Sequence, residues 1–247
     1  MHLIIILLSL ALEHFYPHLS HLRKDNFLVS IQAWWAKYFS GTSLWRPSLA
    51  VVLGLVPIIV LIILVRLLLA SLLFGFLGYI FDVIVLWYLL RNEEKTASDN
   101  EEIVGDYQSA LFWRAHEQRF AILFWYCVLG IWAAALYRLL TVLQEHAQPE
   151  DNPYHFALPV IAQWHGVLAW LPARVTALSY ALVGNFVPAF SCWQQQAWQR
   201  GESFQLLINC GEAALDERED SAAQLLIKRA SLLWLLVLAL MTIGALM

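Results

Sequence analysis

From residue 48 to residue 90 the chain is almost continuously apolar, and the charges that interrupt it are Arg66 and Asp82. A crossing needs only about 20 apolar residues of helix, so this run is too long for one span and predicts two, joined by a tight hairpin near Arg66–Ser71. In the second span Ser71, Gly75, Gly78 and Asp82 recur at steps of four, three and four. Such a row leaves one helix face bare, and bare faces let apolar helices pack closely in lipid. The carboxylate in that row has two inexpensive options near mid-membrane, protonation or a cationic partner.

The rest of the chain fits the same environment. It is 60% hydrophobic and 14% charged, with twelve Trp, a residue that favours the membrane–water boundary. A net charge of −4 argues against nucleic acid as a partner, since that requires a basic footprint. Cys127, Cys192 and Cys210 form no CxxC and an odd count, which suggests neither a disulfide framework nor a metal site. The apolar N-terminus has no basic n-region and no small-residue cleavage site, so it reads as retained. Residues 2–12 are long enough for only about half of a ~30 Å hydrocarbon core, and either borrow polar neighbours to cross or enter partway. His14, His18 and His21 follow at helical spacing, but Pro17 lies inside the set and favours interfacial histidines over a metal site. Segment 18–46 mixes Arg23, Lys24, Lys37 and Arg46 with Trp34, Trp35 and Tyr38, as in an amphipathic helix on a membrane surface.

Further along, residues 91–119 read as a solvated acidic loop leading to a span over 120–143, followed by an exposed loop over 144–155. Residues 156–187 exceed one crossing, which predicts an interfacial piece from Pro159 to Trp170 and a span that starts at Pro172. From Arg174, steps of three and four reach Ala177, Ala181 and Gly184, a second bare face. Residues 188–229 form the largest polar segment, and 230–247 a last apolar helix. The expected architecture is all-α: a multi-pass helical membrane protein, one integral domain with about five transmembrane helices.

Charge sets the expected topology. Segments 18–46, 91–119 and 188–229 hold twelve of the fifteen Lys and Arg, and loop 144–155 holds none. The positive-inside rule places the three segments in the cytoplasm and the loop outside. The remaining cations, Arg66, Arg138 and Arg174, all then fall near the outer boundary, where charge is normally scarce. One account is snorkelling, each guanidinium reaching alone into the headgroups. The other is convergence on a small anionic ligand or a shared carboxylate, with Asp82 or Glu145 as the partner, since guanidinium forks suit carboxylate and phosphate. Arg66, Asp82, Arg138 and Arg174 are therefore the candidate ligand-binding residues, and Pro172 the candidate moving part.

Two patches carry a resemblance. Leu171-Pro172-Ala173-Arg174-Val175-Thr176-Ala177-Leu178 resembles the "PARLTAL" signature of the CbiB/CobD membrane proteins, the adenosylcobinamide-phosphate synthases. Ala121-Ile122-Leu123-Phe124-Trp125 through Leu136-Tyr137-Arg138 resembles their "APLFY…AYR" span. Over nearly its whole length, including Ala110–Trp113, Arg119-Phe120 and the closing apolar helix, the chain is more similar to the AmpE family. Membership implies a CbiB/CobD-like fold in the bacterial inner (cytoplasmic) membrane and a sensory or regulatory role in β-lactamase induction and the response to β-lactams.

The synthase pattern is largely absent. Where the synthases carry an "ENTSDG" motif, this chain reads Trp113-Arg114-Ala115-His116-Glu117-Gln118, and only Glu117 falls at an acidic position. The "GDP…HPV" element is reduced to Glu13, Pro17 and His18, and "PNAG" to Asn209-Cys210-Gly211-Glu212. Amide formation driven by ATP must hold magnesium and phosphate with groups in fixed places, so the expectation is the fold without the synthase chemistry, and no cofactor or metal. The rival from another class is a residual enzyme that binds ATP and Mg²⁺ on the cytoplasmic side through Arg114, Glu117 and Arg119. A transporter, or a scaffold whose bare faces bind lipid, a second copy or another membrane protein, completes the alternatives. No inverted repeat supports the transporter.

Overall fold

The structure, a computed structural model, describes residues 2–15, 26–39, 46–71, 76–90, 107–150, 152–199, 203–215 and 220–244. Within these the chain is helical and contains no strand. The α-helices are α1 (His2–Phe15), α2 (Asn26–Phe39), α3 (Pro47–Ala70), α4 (Phe76–Leu89), α5 (Tyr107–Ala115), α6 (Ala121–Leu129), α7 (Ile131–His146), α8 (Leu158–Val183), α9 (Phe186–Gln196), α10 (Ser203–Ala213) and α11 (Asp220–Gly244). A π-helical turn, His116–Phe120, joins α5 to α6, and a 3₁₀ turn, His155–Ala157, leads into α8. Among the described residues, three helical stretches are long and apolar enough to cross a membrane: Pro47–Ala70, His155–Val183 and Ala222–Thr242. Leu3–Leu12 and Phe76–Leu89 are shorter apolar helices. This is an all-α helical membrane protein. His18, His21 and most of the acidic loop 91–119 lie outside the described residues, as does the side chain of His14.

Several expected boundaries move. Most of the stretch in which the hairpin is expected, Arg66–Ser71, is helical, because α3 runs on through Arg66 to Ala70. The span expected over 120–143 is broken at Gly130, which has φ 92° and ψ −169°. That region of backbone space is open essentially to glycine alone, so the interruption is written in one residue. The last helix starts at Asp220 and not at 230, and takes Lys228 and Arg229 into its length.

The largest correction concerns Pro172. It neither starts a span nor breaks one, and α8 is continuous from Leu158 to Val183. An interior proline removes the hydrogen bond to the carbonyl four residues earlier, which here is Leu168 O. That carbonyl accepts the indole N–H of Trp125 at 3.2 Å. Transmembrane helices tolerate proline when a neighbouring side chain satisfies the freed carbonyl in this way.

Contacts sort the chain into two compact units, a N-terminal one (residues 5–90 and 125–168) and a C-terminal one (residues 1–4, 91–124 and 169–247). In the N-terminal unit α3 packs on α2, α4 and α7. Its core joins Val51, Leu55 and Ile58 of α3 to Leu139, Leu140 and Leu143 of α7 and to Tyr154. The Tyr154 hydroxyl donates to Gln32 O at 3.2 Å, and burial pushes its pKa up to about 12. In the C-terminal unit α10 packs on α9 and α5, and α11 on α5. Phe112, Phe120 and Tyr180 meet at its centre, with ring centroids 5.2 and 6.0 Å from Tyr180.

The row Ala177, Ala181 and Gly184, which runs along α8 and one residue past its end, lies against this second core, with both alanines fully buried. A Cβ on Gly184 would collide with the Ala214 carbonyl oxygen and stand 2.8 Å from Leu226 Cδ1. The carbonyl cannot easily withdraw, because it accepts the Asn185 N–H at 2.8 Å. Gly184→Ala is therefore expected to lower stability by ~1–3 kcal/mol, the range for overpacking. Thermal unfolding of the detergent-purified protein checks this, and an unchanged midpoint would contradict the close approach.

Candidate functional site

Arg66 and Asp82 meet because of a register. α3 and α4 form an antiparallel pair in which a Cβ on Gly78 would lie 3.5 Å from Ala70 Cα, in ordinary contact. With 70 opposite 78, a helical step of four back along α3 and four on along α4 brings 66 opposite 82. The Arg66 Nε–H sits between the two carboxylate oxygens, 2.9 Å from Oδ1 and 3.2 Å from Oδ2. The two ends differ in access: the Asp82 side chain is 4% exposed and that of Arg66 43%. Because the bond uses Nε, the two Nη groups of the fork stay outside this contact. Of the two carboxylates considered for an arginine, Asp82 is the one that Arg66 holds, and Glu145 is exposed at the end of α7.

Arg138 lies in the same unit, on α7, and is buried. Arg174 belongs to the C-terminal unit and has its own set of partners. Its Nε donates to Ala197 O, Nη1 to Trp170 O at 2.7 Å and to Ser203 Oγ at 3.4 Å, and Nη2 to Gln199 O at 2.7 Å. The guanidinium carbon lies 4.0 Å from the centroid of the Trp170 ring, a cation–π contact. A guanidinium has five N–H donors, and these bonds engage four of them on acceptors of the protein itself. The Trp193 indole returns a bond to Arg174 O at 3.0 Å. The side chain thus fastens the turn between α9 and α10 to α8. Neither solvent-reaching stems nor a shared anion describes this arrangement, in which backbone carbonyls surround a cation.

The alternative set, Arg114, Glu117 and Arg119, also falls in the C-terminal unit. All three are half-buried; Arg114 lies in the last turn of α5, and in the π turn Glu117 and Arg119 alternate with buried His116, Gln118 and Phe120. The turn is tied to α8 beside the Arg174 clamp: His116 Nδ1 lies 3.3 Å from Thr176 Oγ, and that hydroxyl donates to Pro172 O at 2.9 Å. A hydroxyl that donates to Pro172 O can accept from the ring when Nδ1 carries a proton.

Two features escaped the sequence. Cys192 and Cys210, on α9 and α10, place their thiol sulfurs 3.1 Å apart. Burial, with the neighbouring thiol, pushes the Cys210 pKa well up, which keeps that sulfur in its unreactive thiol form. Second, a cleft of about 590 Å³ opens in the N-terminal unit among α2, α3, α4 and α7, lined by Trp35, Leu61, Val65, Phe81, Ile84 and Tyr88 with other apolar side chains. Its size falls within the ~300–1,000 Å³ usual for small-molecule sites. No motif announces it, because its walls are apolar residues that every membrane helix carries.

Comparison with known proteins places these elements in context. A family model described as "Regulatory signalling modulator protein AmpE" matches residues 92–247. The protein AmpE of Shigella flexneri is 31% identical over 163 residues, which cover 60% of this chain and 56% of that one. A cobalamin biosynthesis protein CobD from Chromobacterium violaceum is 42% identical over 79 residues, or 32% of this chain and 25% of that one. A second, from Stutzerimonas stutzeri, is 35% identical over 78 residues, with shares of 32% and 26%. The chain thus spans between about a quarter and just over half of the length of these curated relatives. No solved structure matches it.

Proposed function

Because the chain belongs to the AmpE family, we propose that it is a regulatory protein of the bacterial inner membrane with a sensory part in β-lactamase induction and the response to β-lactams. The observation that carries this reading is the family match over residues 92–247, which takes in the π turn, the Arg174 clamp and the α9–α10 hairpin. A sensor needs an element with two arrangements that a ligand can bias. With α8 continuous through Pro172, that element is the α9–α10 hairpin, held at its turn by Arg174. In this reading the protein is multi-pass, and segments 18–46, 91–119 and 188–229 face the cytoplasm, where the hairpin can meet a second copy or another membrane protein.

The test uses a bacterium with an inducible chromosomal β-lactamase from which its AmpE-type protein has been deleted. Restoring the full chain is expected to shift the β-lactam dose that induces the enzyme, and Arg174→Ala to remove the shift. An induction curve that is identical with and without the chain would overturn the reading.

The CobD relatives and the π turn favour one second reading. π turns occur frequently at functional sites, and this one holds Glu117 and Arg119. A residual synthase would bind Mg²⁺ and ATP there, with Arg114 beside them. Calorimetry with Mg-ATP decides between the two: saturable binding lost in Glu117→Gln supports the enzyme, and absence of heat supports the regulator.

A further inference from the structure

From the Arg66–Asp82 pair and the cleft beside it, we infer that the N-terminal unit binds one phospholipid with a net anionic headgroup, its phosphate on Arg66 and an acyl chain in the cleft. This inference is independent of the regulatory reading, and either can fail without the other.

Arg66 and Asp82 stand next to the cleft in the chain, each directly after a lining residue, Val65 and Phe81. On α3 the lining residues Pro57, Ile58, Leu61, Ile62 and Val65 mark a single helix face. Arg66 stands four residues after Ile62 and so continues that row past the end of the cleft. On α4 the lining includes Phe81, the neighbour of Asp82. From residue 57 to residue 65 the helix rises ~12 Å, which suits the extended part of an acyl chain. An apolar cleft with a cation beside it suits an amphiphile.

The pair also presents its charge outward. Asp82 holds the Nε edge of the guanidinium and is itself 4% exposed, so it orients the fork while standing back from any ligand. The Nη edge points away from that bond on a side chain that is 43% exposed. A phosphate oxygen suits those donors, and Arg is the residue that binds it in a fork. Asp82 is too deep to bind a headgroup ammonium, which leaves a zwitterionic lipid without its second contact. Of the lining residues, Leu61 of α3 and Ile84 of α4 are exposed, as are Leu64, Leu67 and Leu68 further along α3, apolar surface that lipid solvates well.

The experiment places the full chain in nanodiscs with phosphatidylglycerol carrying a diazirine in its acyl chain, or with phosphatidylcholine carrying the same chain. Photolysis is followed by mapping of the adducts. Phosphatidylglycerol is expected to label segments 57–65 and 81–89 about fivefold more than phosphatidylcholine, a ratio equal to ~1 kcal/mol of headgroup attraction. Removing Arg66 alone endangers the fold, so the charge is removed as Arg66→Gln with Asp82→Asn, which keeps a hydrogen-bonding pair. In that variant the two lipids should label equally. Ile84→Trp, at a half-exposed position on the rim, should reduce labelling by both. Equal labelling of the wild type by the two lipids would mean ordinary surrounding lipid and overturn the proposal. So would exclusion of both, as when a second copy fills the cleft.

Discussion

Arg66→Leu is expected to destabilise the protein by ~3–5 kcal/mol, the cost of stranding one partner of a buried ion pair. Asp82→Leu is expected to cost only ~1 kcal/mol, because the charge it strands can reach water by snorkelling. The asymmetry follows from access. Arg66 is 43% exposed and sits one turn before the end of α3, so its stem can swing towards headgroups once Asp82 is gone. Asp82 is 4% exposed, in the middle of α4, and has no such route. Left alone, the carboxyl must hold its charge in apolar surroundings or take up a proton, and both are costly. The double variant Arg66→Leu, Asp82→Leu should recover most of the loss, since replacing a buried pair by apolar residues is often neutral. Thermal unfolding of the four proteins in detergent completes the cycle. Equal losses from the two single variants would show that Asp82 can reach solvent, contrary to its position here.

Arg174→Lys is expected to be nearly as harmful as Arg174→Ala, each costing ~3 kcal/mol or more for the loss of charge-assisted hydrogen bonds. Conservation of charge does not help, because the site uses the shape of the guanidinium. Nε reaches Ala197 O, Nη2 reaches Gln199 O and Nη1 reaches Trp170 O, so acceptors stand on three sides of one plane. A lysine ammonium is a point at the end of its stem and cannot occupy the Nε and Nη positions together. It also loses the flat contact on Trp170. Unfolding measurements and proteolysis at the turn around residues 197–203 would detect the loss. If Arg174→Lys stayed within ~0.5 kcal/mol of wild type, the range of an inert surface change, the clamp would be refuted.

How far the sequence carries can be judged residue by residue. Apolar length and small-residue spacing were enough to read an all-helical membrane protein and to find the faces at Ala177–Ala181–Gly184 and at Gly78–Asp82, because both signals are local. Pro172 was misread for the same reason. The rule that proline ends a helix is local, while the donor that relieves it, Trp125, lies 43 residues before Leu168, whose carbonyl it satisfies. Arg174 was legible as a charge needing an answer. Its partners were not, because they are mainly carbonyls from a turn 23–25 residues away, and every residue has a carbonyl. Gly130 offered only its identity, since many glycines sit in helices without breaking them. The proximity of Cys192 and Cys210 depends on how α9 folds back on α10, which spacing alone does not fix.

The carbonyl cage around Arg174 has a consequence for how this region can be controlled. Guanidinium remains protonated at every pH a cell meets, and amide oxygens do not titrate at all. The fastening between α8 and the α9–α10 turn is therefore indifferent to acidity, unlike one built on histidine or carboxylate. Release has to come by other means: something must pull the turn away, or offer its oxygens a better cation.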